Sequence, residues 1–213
     1  MEKLLLKNGL SPGDTLMLTA AVRDLHAAHP NKFLTKLETT NAEIWQNNPY
    51  VADFETDEAD SVIECEYPLI AKSNELPYHF IHGFRKDLEE KLDLSIPQGP
   101  FKGEIYFSEQ ELQADSLVKN IKGQEIPFWI IVAGMKTDFT AKLWREEYYQ
   151  EIVNHYQDKL LFVQCGGRGH YHPPLAGDNL LNLVGRTSLR DFINLMRHAV
   201  GVICPVTFAM HLS

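Results

Sequence analysis

The sequence predicts an α/β protein built on mainly parallel sheets, and three observations predict it. Short apolar runs alternate with stretches of helical periodicity through the first half of the chain, a pattern that sets strands side by side with helices as crossovers. The loop between the first run and the first helix, Lys7 to Thr15, carries Gly9, Gly13 and a lone carboxylate, Asp14. A fresh apolar run at 128–133, closed by Gly134, restarts the alternation in the second half.

Each element has its own warrant. Leu4-Leu5-Leu6 makes 4–7 a strand. Leu16, Thr19, Ala20, Val22, Arg23 and Leu25 recur at helical spacing, so 15–28 is a helix. His29-Pro30 closes it, because a residue before proline avoids helical torsions. Residues 32–37 are a second strand. Residues 40–47 are a short helix anchored by Ile44 and Trp45 and broken at Asn48-Pro49. Residues 51–54 form a short strand, 55–60 an acidic solvated loop, and 61–67 a strand in which Val62, Ile63 and Cys65 are flanked by acids. Residues 78–92 are helical, with Phe80, Ile81, Phe84, Leu88 and Leu92 near the right spacing.

Residues 95–125 hold Pro97, Gly99, Pro100, Gly103 and Gly123. They read as a linker with one strand, 104–108, and set a domain boundary near Gln124, giving domains 1–124 and 125–213. The second domain continues with a helix at 145–157, a buried strand at 160–164, short strands at 181–184 and 200–204, and an amphipathic helix at 188–198. Met210 to Ser213 reads as the first turn of a helix with no body behind it.

Composition narrows the function. The chain has 213 residues, 44% hydrophobic and 23% charged, as in ordinary globular proteins. A net charge of -9 argues against nonspecific nucleic-acid binding, which needs a basic surface. No apolar run is long enough to span a membrane, and the N-terminus lacks the features of a secretory signal. Cys65, Cys165 and Cys204 are odd in number and far apart, which fits buried free thiols in a reducing cytoplasm.

In an open α/β sheet, ligands bind at the carboxyl ends of the strands. Asp14 stands in such a loop as a candidate catalytic or binding group. It is equally suited to cap the helix, its oxygens accepting bonds from free N–H groups of the first turn. Gly13 supplies backbone freedom to the loop or is an ordinary turn glycine. His170 and His172 have no neighbouring cysteine or carboxylate to complete a metal set, so a loop is expected there. Gly166-Gly167-Arg168-Gly169 reads as a tight turn after a buried strand before it reads as a phosphate cradle. Trp144 reads as a packing anchor.

Three segments together resemble glycosyltransferase family 9, the bacterial heptosyltransferases that use ADP-activated heptose. The first is Gly13-Asp14-Thr15-Leu16 with the helix after it, followed by Asn48-Pro49-Tyr50-Val51. The second is the strand and glycine turn 129–134 with Thr140-Ala141-Lys142-Leu143-Trp144, similar to the family's Lys–x–Trp element. The third is the Asn182-Leu183-Val184-Gly185 stretch, then Ala199-Val200-Gly201-Val202-Ile203-Cys204, then His211-Leu212.

The resemblance implies a GT-B-like fold: two Rossmann-like domains with parallel sheets facing across a cleft, acceptor side first and donor side second, the second incomplete in this chain. It implies transfer of a heptose-like sugar from a nucleotide-diphosphate donor, ADP-heptose by analogy, to a lipopolysaccharide or related glycan acceptor. The reaction would be inverting, with no metal and no cofactor beyond the donor. It would take place in the cytoplasm or at the inner face of the inner membrane. Asp14 would be the base, and Lys142, Thr207 and His211 would hold the donor diphosphate. One departure stands out. The family's Asp-[Ser/Thr]-Gly turn falls on Val206-Thr207-Phe208, which lacks both the acid and the glycine. That departure motivates an alternative, a nucleotide-sugar-binding or scaffold protein with weak or no turnover. An incomplete second sheet would leave an open edge, which predicts self-association.

Overall fold

The computed structural model describes residues 1–66, 72, 75–77, 79–134 and 142–213. Tyr67, Tyr78 and the Thr140-Ala141 part of the Lys–x–Trp segment lie outside the described residues. The chain forms two compact units, Met1–Ser108 and Glu109–Ser213, and each carries a parallel sheet.

In unit 1, β1 (Glu2–Asn8) lies between β2 (Phe33–Thr39) and β3 (Ser61–Glu64). Leu4 of β1 pairs with Thr35 on one side and Ser61 on the other. Leu4, Leu5 and Leu6 are fully buried, each worth about 1.5–3 kcal/mol of burial. Val51 makes a single parallel bridge to Thr35 on the outer edge of β2. Counted as a strand, it gives the spatial order third, second, first, fourth, that of a Rossmann half.

The strand expected at 51–54 is thus one residue wide. Asn48 turns the chain into it, accepting from Tyr50 N at 3.0 Å through its side chain. The Lys36 ammonium then draws the chain away through the Asp53 carboxylate and the Phe54 carbonyl. The helix expected at 40–47 is a single 3₁₀ turn, Ala42–Trp45. Residues 55–60 are tied to β1 at its start: Lys3 reaches Glu58 at 2.9 Å, and its N–H donates to Asp60 at 2.8 Å.

Helix α1 (Pro12–Ala28) begins at Pro12, ahead of the expected Thr15, with Ser11 as its N-cap. Proline suits the first helical position, where its missing N–H would have no partner. Asp14 is therefore not the cap; it is the third residue of the first turn. Gly13 through Leu25 is buried, and α1 packs against α2 (Phe80–Leu92).

The strand expected at 104–108 does not form. Its first residue, and the residues just ahead of it, are bonded to α1 instead of to a sheet. Glu104 N–H donates to the Thr19 hydroxyl at 2.7 Å. The Arg23 guanidinium holds the Pro100 and Lys102 carbonyls at 2.7 and 2.9 Å and the Glu104 carboxylate at 2.7 Å. Asp24 accepts the Gly99 N–H at 3.0 Å.

Unit 2 opens with two short helices that periodicity does not reveal, α3 (Glu109–Gln113) and α4 (Leu117–Lys122). Ser116 caps α4 by accepting Lys119 N–H at 3.0 Å, and Gly123 ends it at φ +75, where a glycine is at ease. The sheet runs β6-β5-β4-β7, all parallel, with β4 (Phe128–Ile131), β5 (Leu161–Gln164), β6 (Leu180–Asn182) and β7 (Gly201–Ile203). This is again third, second, first, fourth.

Alternation along β4 feeds two cores. Phe128 and Ile130 join Val118, Val163 and Leu195 on one face, and Ile131 joins Tyr149, Val153 and Phe162 on the other. Helix α5 (Glu146–His155) supplies Tyr149 and Val153, α6 (Leu189–His198) supplies Leu195, and α7 (Phe208–Leu212) follows β7. Ser188 and Asp191 form a reciprocal capping box at the start of α6, worth about 1 kcal/mol. The Glu111 carboxylate pins α3 to α6 through a two-pronged pair with Arg190 at 2.6 and 2.8 Å.

The three cysteines are free. Burial pushes the Cys65 and Cys165 thiols up to about 12, so neither is a thiolate nucleophile near neutral pH.

Candidate functional site

In a sheet of this order, the crevice lies where connections leave the central strand in opposite directions. In unit 1 that point is the mouth between β1 and β3. Asn8, the last residue of β1 and only 2% exposed, bridges it: its side-chain amide donates to Cys65 O at 2.9 Å. The Thr15 hydroxyl lies 2.9 Å from Asn8 Oδ1 and 3.0 Å from Ser11 O. Asn41, just beyond β2, donates to Leu10 O at 2.9 Å and lies 3.0 Å from the Thr15 hydroxyl. The 9–11 loop is thereby held from three strand ends.

Asp14 sits on this frame. It is 8% exposed, and the Ser11 hydroxyl donates to its Oδ2 at 2.7 Å. A carboxylate in the first turn of a long helix is stabilised by the unpaired N–H groups and dipole there. The cap residue makes no side-chain bond to the helix backbone, because its hydroxyl is committed to Asp14. Gly13 is the helical residue before Asp14, buried in the first turn, and its φ is ordinary.

The matching mouth of unit 2 lies between β4 and β7. Beyond β7 the chain passes Cys204 and Pro205 to Thr207, the N-cap of α7. The Thr207 hydroxyl is buried and has no hydrogen-bond partner among the described residues. His211 lies half-buried in α7, and its N–H reaches back to Thr207 O at 3.4 Å. Phe208, which stands where the family pattern has glycine, is the first residue of α7; its ring packs 6.1 Å from that of Phe192 in α6. Lys142 is exposed just ahead of α5.

Beside this mouth, His172 is wedged between the ends of β4 and β5. A Cβ on Gly134 would fall 1.9 Å from Tyr171 O and 2.3 Å from His172 Nδ1, and one on Gly166 would fall 2.0 Å from the His172 ring. His172 Nε2 lies 3.2 Å from Gly167 O, while Nδ1 is buried without a partner. Burial lowers the pKa of this imidazole. The turn expected over 166–169 is confined to Arg168 and Gly169; Gly166 accepts the Gly185 N–H at 2.9 Å and lies against the His172 ring. No group of three metal-ligating side chains gathers among the described residues.

The sequence singled out Asp14, Thr207 and His211, and each lies at the carboxyl end of a sheet in its own unit. It missed Asn8, Ser11 and Asn41, which position Asp14, and Gln164, whose amide donates to Pro173 O at 2.7 Å while its carbonyl oxygen is unpaired among the described residues. The available signal was a polar amide at the end of an apolar strand, at Asn8 and Gln164 alike.

The comparisons with known proteins agree with this architecture. The fold matches E. coli ADP-heptose LPS heptosyltransferase II at TM-score 0.64 and 16% identity, covering 100% of this chain and 81% of that one. It matches E. coli heptosyltransferase WaaC with ADP-2-deoxy-2-fluoro heptose at 0.67 and 16%, covering 99% and 84%. It matches a family 9 glycosyl transferase from Veillonella parvula at 0.72 and 12%, covering 99% and 77%. No curated protein sequence matches the chain. Both sheets are of the Rossmann kind, so the fold is α/β and GT-B-like. The profile of "Glycosyltransferase family 9 (heptosyltransferase)" matches residues 72–213, two thirds of the sequence, and the chain belongs to that family.

Proposed function

We propose that this protein transfers a heptose-like sugar from a nucleotide-diphosphate donor, ADP-heptose in the first instance, to a lipopolysaccharide or related glycan acceptor, with inversion and without a metal. The observation that carries the reading is Asp14: a carboxylate in the first turn of α1, held by Ser11 at the mouth of the sheet. Unit 1 takes the acceptor, and Asp14 removes the proton of its attacking hydroxyl as the anomeric bond breaks. Unit 2 takes the donor. Lys142, Thr207 and His211 stabilise the charge that grows on the departing diphosphate, and the buried Thr207 hydroxyl is a donor with no partner to give up among the described residues.

The test is Asp14→Ala, assayed by ADP release and product mass with ADP-heptose and a heptose-deficient lipopolysaccharide core. Loss of transfer by about 10²–10⁴-fold is expected for a missing general base; unchanged transfer removes Asp14 from that role. Full activity in EDTA is the expected result for metal independence. A lipid-linked acceptor puts the enzyme at a membrane surface, where it binds from one side; no helix among the described residues is long and apolar enough to cross. The outer edge of the three-residue strand β7, paired with no further strand among the described residues, favours self-association, which light scattering at high concentration checks.

A second reading, nucleotide-sugar binding without turnover, is favoured by Val206 and Phe208 in place of an acid and a glycine. Calorimetric titration with ADP-heptose separates the two: binding without product supports the second.

A further inference from the structure

Unit 2 holds a surface pocket of about 350 Å³ that none of the proposed catalytic or diphosphate groups lines. Ala133, Leu143, Trp144, Arg145, Glu146, Glu147 and Tyr171 form it. Its size lies at the lower end of small-ligand sites, about 300–1,000 Å³.

One wall is aromatic and fixed. Trp144 is 43% exposed and Tyr171 51%, yet neither ring is loose. Trp144 meets the buried Tyr149 edge-on at 4.9 Å and Tyr148 at 5.2 Å. The Tyr171 hydroxyl donates to Glu146 Oε1 at 2.6 Å. Large aromatic faces held in place and left open to solvent are the usual floor of a ligand site.

The rim selects against anions. Glu146 and Glu147 are the first two residues of α5, so the helix N-terminus already faces its own carboxylates. Among the described residues the one cation lining the pocket is Arg145, whose Nε reaches Glu147 at 3.3 Å and whose guanidinium lies 5.2 Å from the centre of the Tyr148 ring. Phosphate would meet two carboxylates against a single arginine. The rim also selects against adenine. Ionised carboxylates only accept hydrogen bonds, whereas the adenine amino group is flanked by the ring acceptors N1 and N7, whose lone pairs would face theirs. A sugar meets both demands: its hydroxyls rotate to donate to every oxygen on the rim, while its C–H face lies on indole.

The geometry points to a binding site for a neutral sugar ring in unit 2, with Trp144 as the stacking platform and Glu146 and Glu147 as acceptors for its hydroxyls. The inference deepens the glycosyltransferase reading by adding a glycan subsite distinct from the diphosphate groups. It does not need Asp14 to be the base.

Indole ¹⁵N-labelled protein gives the test, with the Trp144 signal assigned through Trp144→Phe. Methyl heptoside and methyl α-glucoside are titrated as neutral probes, and adenosine and inorganic phosphate as controls. The expected result is a saturable shift of the Trp144 indole with a neutral glycoside and none with phosphate or adenosine. By ligand-observed saturation transfer, Trp144→Ala weakens glycoside binding by about tenfold, and Glu146→Gln by a few-fold; the glutamine variant preserves shape should the alanine variant unfold. Failure of both glycosides to shift the indole, a response to adenosine instead, or glycoside binding that survives in folded Trp144→Ala overturns the proposal. The same titration on Asp14→Ala keeps the outcomes apart: glycoside binding there persists whether or not transfer is lost.

Discussion

The two units share a strand order and differ in how their mouths are closed. Around β1 the closure is by hydrogen bonds: Asn8, Ser11, Thr15 and Asn41 spend their side chains on one another and on strand ends. Around β4 the closure is by shape, with the His172 ring filling the space above Gly134 and Gly166. There, buried polar atoms on Thr207, Gln164 and His172 have no partner among the described residues. Unpaired buried donors and acceptors cost about 1–3 kcal/mol each. A fold tolerates several at one mouth when a ligand completes them, and this is what the proposed donor role of unit 2 would require. The proposed acceptor role of unit 1 would require a carboxylate held still.

The sharpest way to break this contrast is Gly134→Ala. The new Cβ would meet the Tyr171 backbone carbonyl, which cannot rotate away, so unit 2 should lose about 3 kcal/mol. Hydrogen exchange in β4 and β5 peptides should speed up; unchanged exchange there would mean the mouth is not closed by packing. Next is Asn8→Ala, which strips Cys65 O and the Thr15 hydroxyl of a partner. It should cost unit 1 about 1–3 kcal/mol, read as faster exchange in β1 and β3 peptides.

Thr207→Val has a smaller effect with two signs. Removing an unpaired buried hydroxyl should leave stability unchanged or raise it by up to about 1 kcal/mol, while ADP affinity falls about tenfold, the worth of one hydrogen bond. Equal ADP affinity in calorimetry would take Thr207 out of the donor site.

The smallest effect is on pH. The folded-state pKa of His172 lies below its unfolded value of 6.5 because burial disfavours the cation. The unfolded chain therefore binds the extra proton first, so stability is complete above 6.5 and declines as pH falls below it. His26, His82 and His198 are lowered the same way by burial. His172→Gln should therefore flatten the acid limb of the unit 2 melting curve without abolishing it.

What could be read in the sequence follows from the range of the forces involved. Leu4-Leu5-Leu6 and the 128–133 run announce their strands because burial of apolar neighbours is local in sequence. The 188–198 helix is equally plain, and Ser188 with Asp191 fixes its start. The position of Asp14 beside the first strand was legible too, but the true cap was not: Ser11-Pro12 is the stronger start signal, and periodicity from Leu16 hid it. The 104–108 segment has strand-like apolar residues, yet Thr19, some eighty positions earlier, claims the Glu104 N–H, and Arg23 and Asp24 claim the backbone of Lys102 and Gly99 just ahead of it. No window on the sequence holds both ends of such a bond. The same holds for Asn8 with Cys65 and for Asn41 with Leu10, so the frame around the candidate base was invisible while the base itself was not.

The histidine wedge has a consequence for which sequences can share this architecture. The three nearest neighbours of a methyl placed at 166 belong to the imidazole of residue 172, whereas at 134 the nearest obstacle is main chain. Position 166 should therefore accept alanine once residue 172 is trimmed to serine, and position 134 should refuse it in either background. A library varying the three together would find one escape route and one locked site, an asymmetry that single substitutions would miss.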